Sequence, residues 1–317
     1  MSAARAPFRQ LPFGQLPERP RVPHTYFQTP ARELPLDSRA FGRLSVHCRV
    51  VGAGPPLLLV HGLMTSSYSF RYVLAPLSQH FTVYAPDLPG SGRSSAPDRS
   101  YHPDRYTEFL SELVDALGIR GCAAVGNSLG GYLAMRLALR EPDALGRLVN
   151  LHSPGVPLRR LHALRAALSL PVSEPILQRL IALDPERWVQ RNVHYYDETL
   201  KSREETREYA APLRTPAGRH AFYRILRETL DVDEMARFTR DLEGRRVRGV
   251  RFPVPLQLLY APEDPMVPPV VGEKLRALLP DAEFVALREG SHFAHVDAPQ
   301  TFLDAALPFL LERDAAP

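Results

Sequence analysis

The chain has 317 residues, of which 44% are hydrophobic and 23% charged, and its net charge at pH 7 is +4. This composition is typical of an ordinary globular protein and argues against disordered and fibrous classes. The length favours one large α/β core that carries an inserted subdomain. The arginines form no stripe interleaved with aromatic residues, so we expect no nucleic-acid partner.

The sequence gives no sign of export or membrane insertion. Its beginning lacks the apolar run of a secretory signal, and no stretch of about 18 apolar residues could span a bilayer. We therefore expect no integral membrane segment and, by default, a cytoplasmic location. Cys48 and Cys122 lie in segments predicted to be buried strands, where a free thiol behaves as a small hydrophobic group.

The predicted elements alternate between strands and helices. Residues 1–35 are rich in proline and predict an extended arm. After them, short apolar runs alternate with helical spacing, which predicts a mostly parallel central sheet flanked by helices. The predicted strands are 44–51, 57–61, 81–85, 122–126, 147–152, 255–260 and 282–287.

Residues 155–250 interrupt this alternation with helical patterns and no convincing strand. The pattern predicts a helical cap inserted into a core formed by residues 36–154 and 251–317. The predicted cap helices are 159–169, 173–183, 185–194, 203–210 and 216–230.

A Gly-x-Ser-x-Gly pattern at residues 126–130 lies directly after a predicted buried strand and at the start of a predicted helix. This context is that of a nucleophile elbow, whose tight turn exposes the serine hydroxyl. The helix N-terminus offers N–H groups to a developing negative charge. We therefore predict that Ser128 is a nucleophile.

A serine hydroxyl needs a general base, and the base needs an acid to orient it. In this type of fold the two follow the serine in the order acid, then histidine. Glu263 and Asp264 lie in the loop that follows one predicted strand, and the residues alone leave both open as the acid. His292 follows the next strand and is the favoured base, with His295 as the alternative.

Two backbone N–H groups are needed to hold the oxyanion. Leu129, which follows the serine, is expected to supply one, and Leu63, after the strand that ends in His61-Gly62, the other. His61 has no companion ligand at metal spacing and is expected to be structural. We predict neither a metal nor a cofactor.

Five segments in this order resemble the α/β-hydrolase superfamily, in its branch with a helical cap, from about residue 40 onward. The resemblance implies that Asp264 is the acid and His292 the base. Two departures are Ala261, where the family has glycine, and Ser291, which separates the usual Gly-His pair. The segments are HGLMTSSYSF at 61–70, DLPGSGRS at 87–94, GNSLGG at 126–131, YAPEDPMVP at 260–268 and GSHFAHVDAP at 290–299.

The resemblance also bears on the reaction. Residues 61–68 are similar to haloalkane dehalogenases, but those enzymes and epoxide hydrolases carry an aspartate at the elbow. Some relatives place the acid after the preceding central strand, but residues 150–153 supply no carboxylate there, which favours Asp264 as the acid. Ser128 predicts acyl transfer, with cleavage of a carboxylic ester of a hydrophobic small molecule as the favoured reaction.

Three other functions stay open at this point: hydrolysis of carbon-carbon bonds in ring-cleavage diketones, cofactor-free perhydrolysis, and a catalytically silent scaffold. The cap is expected to set specificity, with Met64 beside the oxyanion loop. The aromatic candidates for the pocket are Trp188, Tyr195 and Phe222, and His194 and Tyr196 are further candidates.

Overall fold

A computed structural model describes residues 8–312, so residues 1–7 of the predicted arm and 313–317 of the predicted core lie outside the described residues. Eight strands form one sheet in the order β1-β2-β4-β3-β5-β6-β7-β8. β2 is antiparallel to both of its neighbours, and every other pairing is parallel, which confirms the predicted sheet. The strands are β1 (Ala31–Ser38), β2 (Gly42–Val51), β3 (Pro56–Val60), β4 (Thr82–Pro86), β5 (Cys122–Asn127), β6 (Leu145–Leu151), β7 (Leu256–Tyr260) and β8 (Glu283–Ala286).

Helices cover both faces of this sheet. Successive strand residues point to opposite faces, so Leu58 and Val60 of β3 pack in one core while Leu57 and Leu59 pack in the other. This two-sided burial explains the continuous apolar strands. The helices are α1 (Leu74–Ser78), α2 (Pro103–Leu117), α3 (Leu129–Arg140), α4 (Arg159–Leu168), α5 (Ser173–Leu183), α6 (Pro185–Asn192), α7 (Arg203–Ala210), α8 (Pro216–Thr229), α9 (Val232–Val247), α10 (Pro269–Leu278), α11 (Ala294–Asp297) and α12 (Pro299–Leu311).

One edge strand and one helix of the insertion were not predicted from the sequence. β1 lies partly in the segment predicted as an arm, and it pairs antiparallel with β2 at the edge of the sheet. Its residues are mostly exposed and include Pro35, which an edge strand tolerates, so it shows no apolar run. α9 is absent from the predicted helices, although Val232, Met235, Phe238 and Leu242 recur at helical spacing and form its buried face.

Helices α4 to α9 all lie between β6 and β7 in the chain. The segment before β1 packs against this insertion: the backbone N–H of Arg203 donates to the Pro17 carbonyl at 2.8 Å. The guanidinium of Arg203 lies 3.9 Å from the centre of the Phe13 ring. Among the described helices, none combines the length and the apolar character that crossing a bilayer requires.

Candidate active site

The predicted catalytic side chains follow three strands on one side of the sheet. Ser128 follows β5, Asp264 lies in the loop after β7, and His292 lies in the loop after β8. The strand order places β5, β6, β7 and β8 side by side and parallel. The carboxyl ends of parallel strands meet at one edge, which is where open α/β sheets gather their functional groups.

The backbone of Ser128 has the strained conformation of an elbow, with φ 54° and ψ −121°. The glycines around it are required by close backbone contacts. A Cβ on Gly126 would lie 2.4 Å from the Cα of Gly131, and one on Gly130 would lie 2.0 Å from the Val60 carbonyl oxygen. The sequence pattern therefore follows from the strand and helix meeting at this turn.

Asp264 and His292 are directly bonded. Nδ1 of His292 donates to Oδ2 of Asp264 at 2.7 Å. The other carboxylate oxygen, Oδ1, accepts the backbone N–H groups of Met266 at 2.7 Å and Val267 at 2.8 Å. Burial alone would raise the pKa of Asp264, but the adjacent imidazoles of His292 and His152 hold that pKa well below its ordinary value. The carboxylate is therefore ionised and its rotamer is fixed.

His292 also shares a cavity with Ser128. Both residues line its wall, and both are largely buried, with exposed fractions of 2% and 9%. Because Nδ1 of His292 is engaged by Asp264, its Nε2 remains as the nitrogen that can accept a proton. The arrangement is chemically suited to general-base activation of a hydroxyl.

The competing residues lie elsewhere. Glu263 is exposed, whereas Asp264 is buried against His292. His295 is fully buried, and neither of its ring nitrogens has a hydrogen-bond partner among the described residues. His61 is buried too, with Nδ1 donating to the Gly62 carbonyl at 2.8 Å and Nε2 accepting the Leu88 N–H at 2.9 Å. Its ring therefore braces two loops, as a structural residue would.

Sequence reasoning missed a residue that holds the histidine loop in place. The side-chain amide of Asn127, entirely buried, donates to the His292 carbonyl at 2.9 Å and to the Leu151 carbonyl at 3.3 Å. Asn127 precedes the nucleophile, so a single turn carries both Ser128 and the support for its expected base. A polar residue at a buried strand end was the available signal.

The two expected oxyanion donors flank the same cavity. Leu63 and Leu129 both line its wall next to Ser128. Leu129 is the first residue of α3, and the first N–H groups of a helix have no intrahelical acceptor. Met64 has φ 62° and also lines the cavity, at the place expected from the sequence.

The cavity has a volume of about 450 Å³, and its walls are mostly aliphatic side chains. Most of the wall comes from α4, α8, α9 and the neighbouring loops, not from the expected aromatic residues. Besides Ser128 and His292, Arg160 and Asn192 are the only residues of 8–312 that bring polar side chains to it. The apolar lining residues are Leu63, Met64, Leu129, Pro154, Val156, Leu158, Leu161, Leu164, Leu226, Leu230, Met235, Pro265, Met266, Val267 and Val271.

The aromatic candidates lie outside this wall. Phe222 lines a separate void of about 20 Å³ next to Leu63 and Met64. Tyr195 is completely buried, with its ring edge-on to Phe293 at 5.6 Å, and Trp188 is partly buried in the same core. Large rings fill the interior between the insertion and the sheet, so shorter aliphatic residues surround the cavity instead.

A second histidine, His152, also contacts the acid. Its Nδ1 lies 2.8 Å from Oδ2 of Asp264. Together with His292, these residues form the only group among residues 8–312 whose spacing could suit a metal ion. However, Nε2 of His152 accepts the Ala261 N–H at 2.9 Å, so the proton must sit on Nδ1. A protonated nitrogen cannot ligate a metal, and the donor set does not fit one.

Comparison with known proteins agrees with this fold. A 2-hydroxymuconate semialdehyde hydrolase from Pseudomonas putida is 30% identical over 275 residues, which cover 83% of this chain and 90% of that protein. Haloalkane dehalogenase 2 from Mycobacterium bovis is 28% identical over 288 residues, covering 88% and 97%. The crystal structure of a candidate α/β-hydrolase from Nostoc sp. superposes with a TM-score of 0.74 at 21% identity, covering 89% and 99%.

The family model for the alpha/beta hydrolase fold matches residues 55–299. This segment includes β3 to β8 and all three expected catalytic residues. The resemblance inferred from the five motifs is thereby confirmed: the chain belongs to the α/β-hydrolase family.

Proposed function

We propose that the protein is a serine hydrolase that cleaves a carboxylic ester, or a related acyl bond, of a hydrophobic small molecule. The observation that carries this proposal is the hydrogen bond between His292 and Asp264 at the wall of a cavity that also contains Ser128. A positioned imidazole beside an elbow serine is the arrangement that makes an alcohol nucleophilic.

The reaction follows from the roles of these groups. Ser128 attacks the substrate carbonyl while Nε2 of His292 takes the hydroxyl proton, and the N–H groups of Leu63 and Leu129 stabilise the oxyanion. Asp264, ionised and held by two backbone N–H groups, stabilises the imidazolium. His292 then protonates the leaving alcohol, and water attacks the acyl-enzyme by the same route.

The walls of the cavity support a hydrophobic substrate. Its volume of about 450 Å³ lies within the range of roughly 300–1,000 Å³ that is usual for small-molecule sites. Leu161 and Leu164 of α4, Leu226 of α8 and Met235 of α9 contribute to the wall. We therefore propose that the helical insertion acts as a cap that sets the acyl or alcohol preference.

Hydrolysis of a carbon-carbon bond is the second candidate, because a relative is named for such chemistry and the elbow reads GNSLGG. Arg160 is the one cationic side chain on the cavity wall. Its guanidinium already donates to the carbonyls of Pro265 and Met266. These neutral carbonyls leave the charge of Arg160 uncompensated, so it offers a site for a substrate carboxylate; the otherwise aliphatic wall favours an uncharged ester.

A substrate panel tests the proposal. p-Nitrophenyl esters of increasing acyl length should be hydrolysed, and a ring-fission diketone acid should react more slowly. A fluorophosphonate probe should label the native protein, and Ser128→Ala should abolish labelling and reduce kcat by several orders of magnitude. Ser78→Ala, on a surface helix, serves as the matched control. Hydrolysis that persists in Ser128→Ala would contradict the proposal, and an unlabelled native protein would favour the silent scaffold.

A further inference from the structure

His152 is held in an unusual conformation at the centre of the site. It is the first residue after β6, it is completely buried, and its φ is +51°. Its backbone N–H donates to the Leu259 carbonyl at 3.0 Å, which extends the pairing of β6 with β7. A left-handed histidine is uncommon and persists where its surroundings fix it.

The hydrogen bonds around His152 determine where its proton lies. Nε2 accepts the backbone N–H of Ala261 at 2.9 Å, so Nδ1 carries the proton. Nδ1 lies 2.8 Å from Oδ2 of Asp264 but is not aligned as a hydrogen bond, and the same oxygen accepts Nδ1–H of His292 at 2.7 Å. Two imidazole N–H groups therefore converge on a single carboxylate oxygen.

The imidazole of His152 is neutral in this arrangement. Complete burial lowers its pKa, and this effect outweighs the opposing attraction of Asp264. The titratable groups that face it are Asp264, His292, at 5.9 Å between ring centres, and Tyr260, at 5.3 Å. The Tyr260 hydroxyl donates to the Ser153 carbonyl, and burial raises its pKa, so it too stays neutral.

We propose that His152 is a positioning residue of the active site whose Nδ1–H, in close electrostatic contact with Asp264, divides the negative charge of the carboxylate between two imidazoles. The role rests on the proposed function in one respect, that His292 is the general base. A carboxylate whose charge also faces the Nδ1–H of His152 stabilises the His292 imidazolium less than one that faces His292 alone. His292 therefore remains unprotonated, and available as a base, to lower pH than it would without His152.

Two substitutions separate this role from packing. His152→Phe keeps the ring but removes the donor. His152→Asn places an amide N–H near the position of Nδ1, and asparagine tolerates a positive φ. In His152→Phe the acid limb of kcat/KM should move to higher pH by roughly 0.5–1 unit, because Asp264 then stabilises the His292 imidazolium more strongly, with KM little changed. His152→Asn should restore the limb toward that of the native protein.

An unshifted acid limb in a folded His152→Phe would overturn the proposal. Thermal unfolding shows whether that variant folds, and a purely structural role would lower its Tm without moving the limb. Nitrogen NMR of the native protein with labelled histidine tests the premise even if His152→Phe does not fold. His152 should show a protonated Nδ1 and a bare Nε2 that do not titrate between about pH 5 and 8. A protonated Nε2, or titration in that interval, would overturn the proposal.

These results are distinct from a failure of the proposed function. Activity that survives in Ser128→Ala would refute the serine mechanism, while the NMR signals of His152 would still report its tautomer. Loss of activity in Ser128→Ala, together with an unshifted limb in His152→Phe, would refute only the role of His152.

Discussion

Replacing Asn127 should reduce both the stability of the protein and its turnover. The buried amide donates to the carbonyls of His292 and Leu151, and Asn127→Ala removes both bonds. A buried carbonyl without a donor costs about 1–3 kcal/mol, which for a chain of this size lowers Tm by roughly 2–10 °C. The loop that carries His292 would lose a tether to the turn that carries Ser128. Because misplacement by about 1 Å can cost 100-fold in rate, we expect kcat to fall about 10–100-fold with KM little changed.

Asn127→Asp is the matched variant. It keeps the size of the side chain but turns a donor toward the two carbonyls into an acceptor, so it should be less stable and less active than Asn127→Ala. Ester hydrolysis over a range of substrate concentrations gives kcat and KM, the rate of fluorophosphonate labelling reports the reactivity of Ser128, and thermal unfolding gives Tm. If Asn127→Asp matched the native protein in Tm and kcat, the amide would not be holding the histidine loop.

Three further predictions follow from close packing, buried histidines and the cavity wall. Gly130→Ala should prevent stable folding, because its Cβ would lie 2.0 Å from a backbone carbonyl oxygen, and soluble yield and Tm would show it. Burial lowers the pKa of His61, His152 and His295 in the folded protein. Below about pH 6.5 the unfolded chain therefore binds more protons, and the free energy of unfolding measured with denaturant should fall by about 1 kcal/mol per pH unit for each histidine. Leu164→Trp should fill part of the cavity and shift the preferred p-nitrophenyl ester to shorter acyl chains.

Each of these has a control and a contrary outcome. Gly14→Ala meets no atom within 4 Å and should leave Tm unchanged, so equal Tm values for the two glycine variants would contradict the packing argument. A free energy of unfolding that is level between pH 6.5 and 5 would show that the three histidines are protonated in the folded state. Leu180→Trp, on the exposed side of α5, should leave the chain-length profile unchanged.

The structure could be predicted from the sequence where a single physical requirement determines the residue type. Buried parallel strands require continuous apolar runs, and the elbow requires glycine at 126 and 130 because backbone atoms lie where a Cβ would be. The sheet and the position of Ser128 at its carboxyl edge could therefore be predicted. The order of acid and histidine along the chain did not distinguish Asp264 from Glu263, and family resemblance was needed.

The rest depends on which side chains happen to meet. Trp188 and Tyr195 belong to the insertion expected to line a pocket, but both pack in a hydrophobic core and lie outside the cavity wall. His152 could not be predicted as a neighbour of the acid, because only the folded arrangement of β6 and β7 brings that residue beside Asp264. β1 was missed because an exposed edge strand needs no apolar repeat.

The segment before β1 is bonded to the helical insertion, which lies much later in the chain. Besides the contacts of Pro17 and Phe13 with Arg203, the Gln190 side chain donates to the Leu11 carbonyl at 2.6 Å, and Arg21 pairs with Asp197 at 3.1 Å. Helices α6 and α7 are thus held by residues 11–21, which lead along the chain into β1. We therefore expect any opening of the cavity to involve α4 and α9, which contribute Leu161, Leu164 and Met235 to its wall.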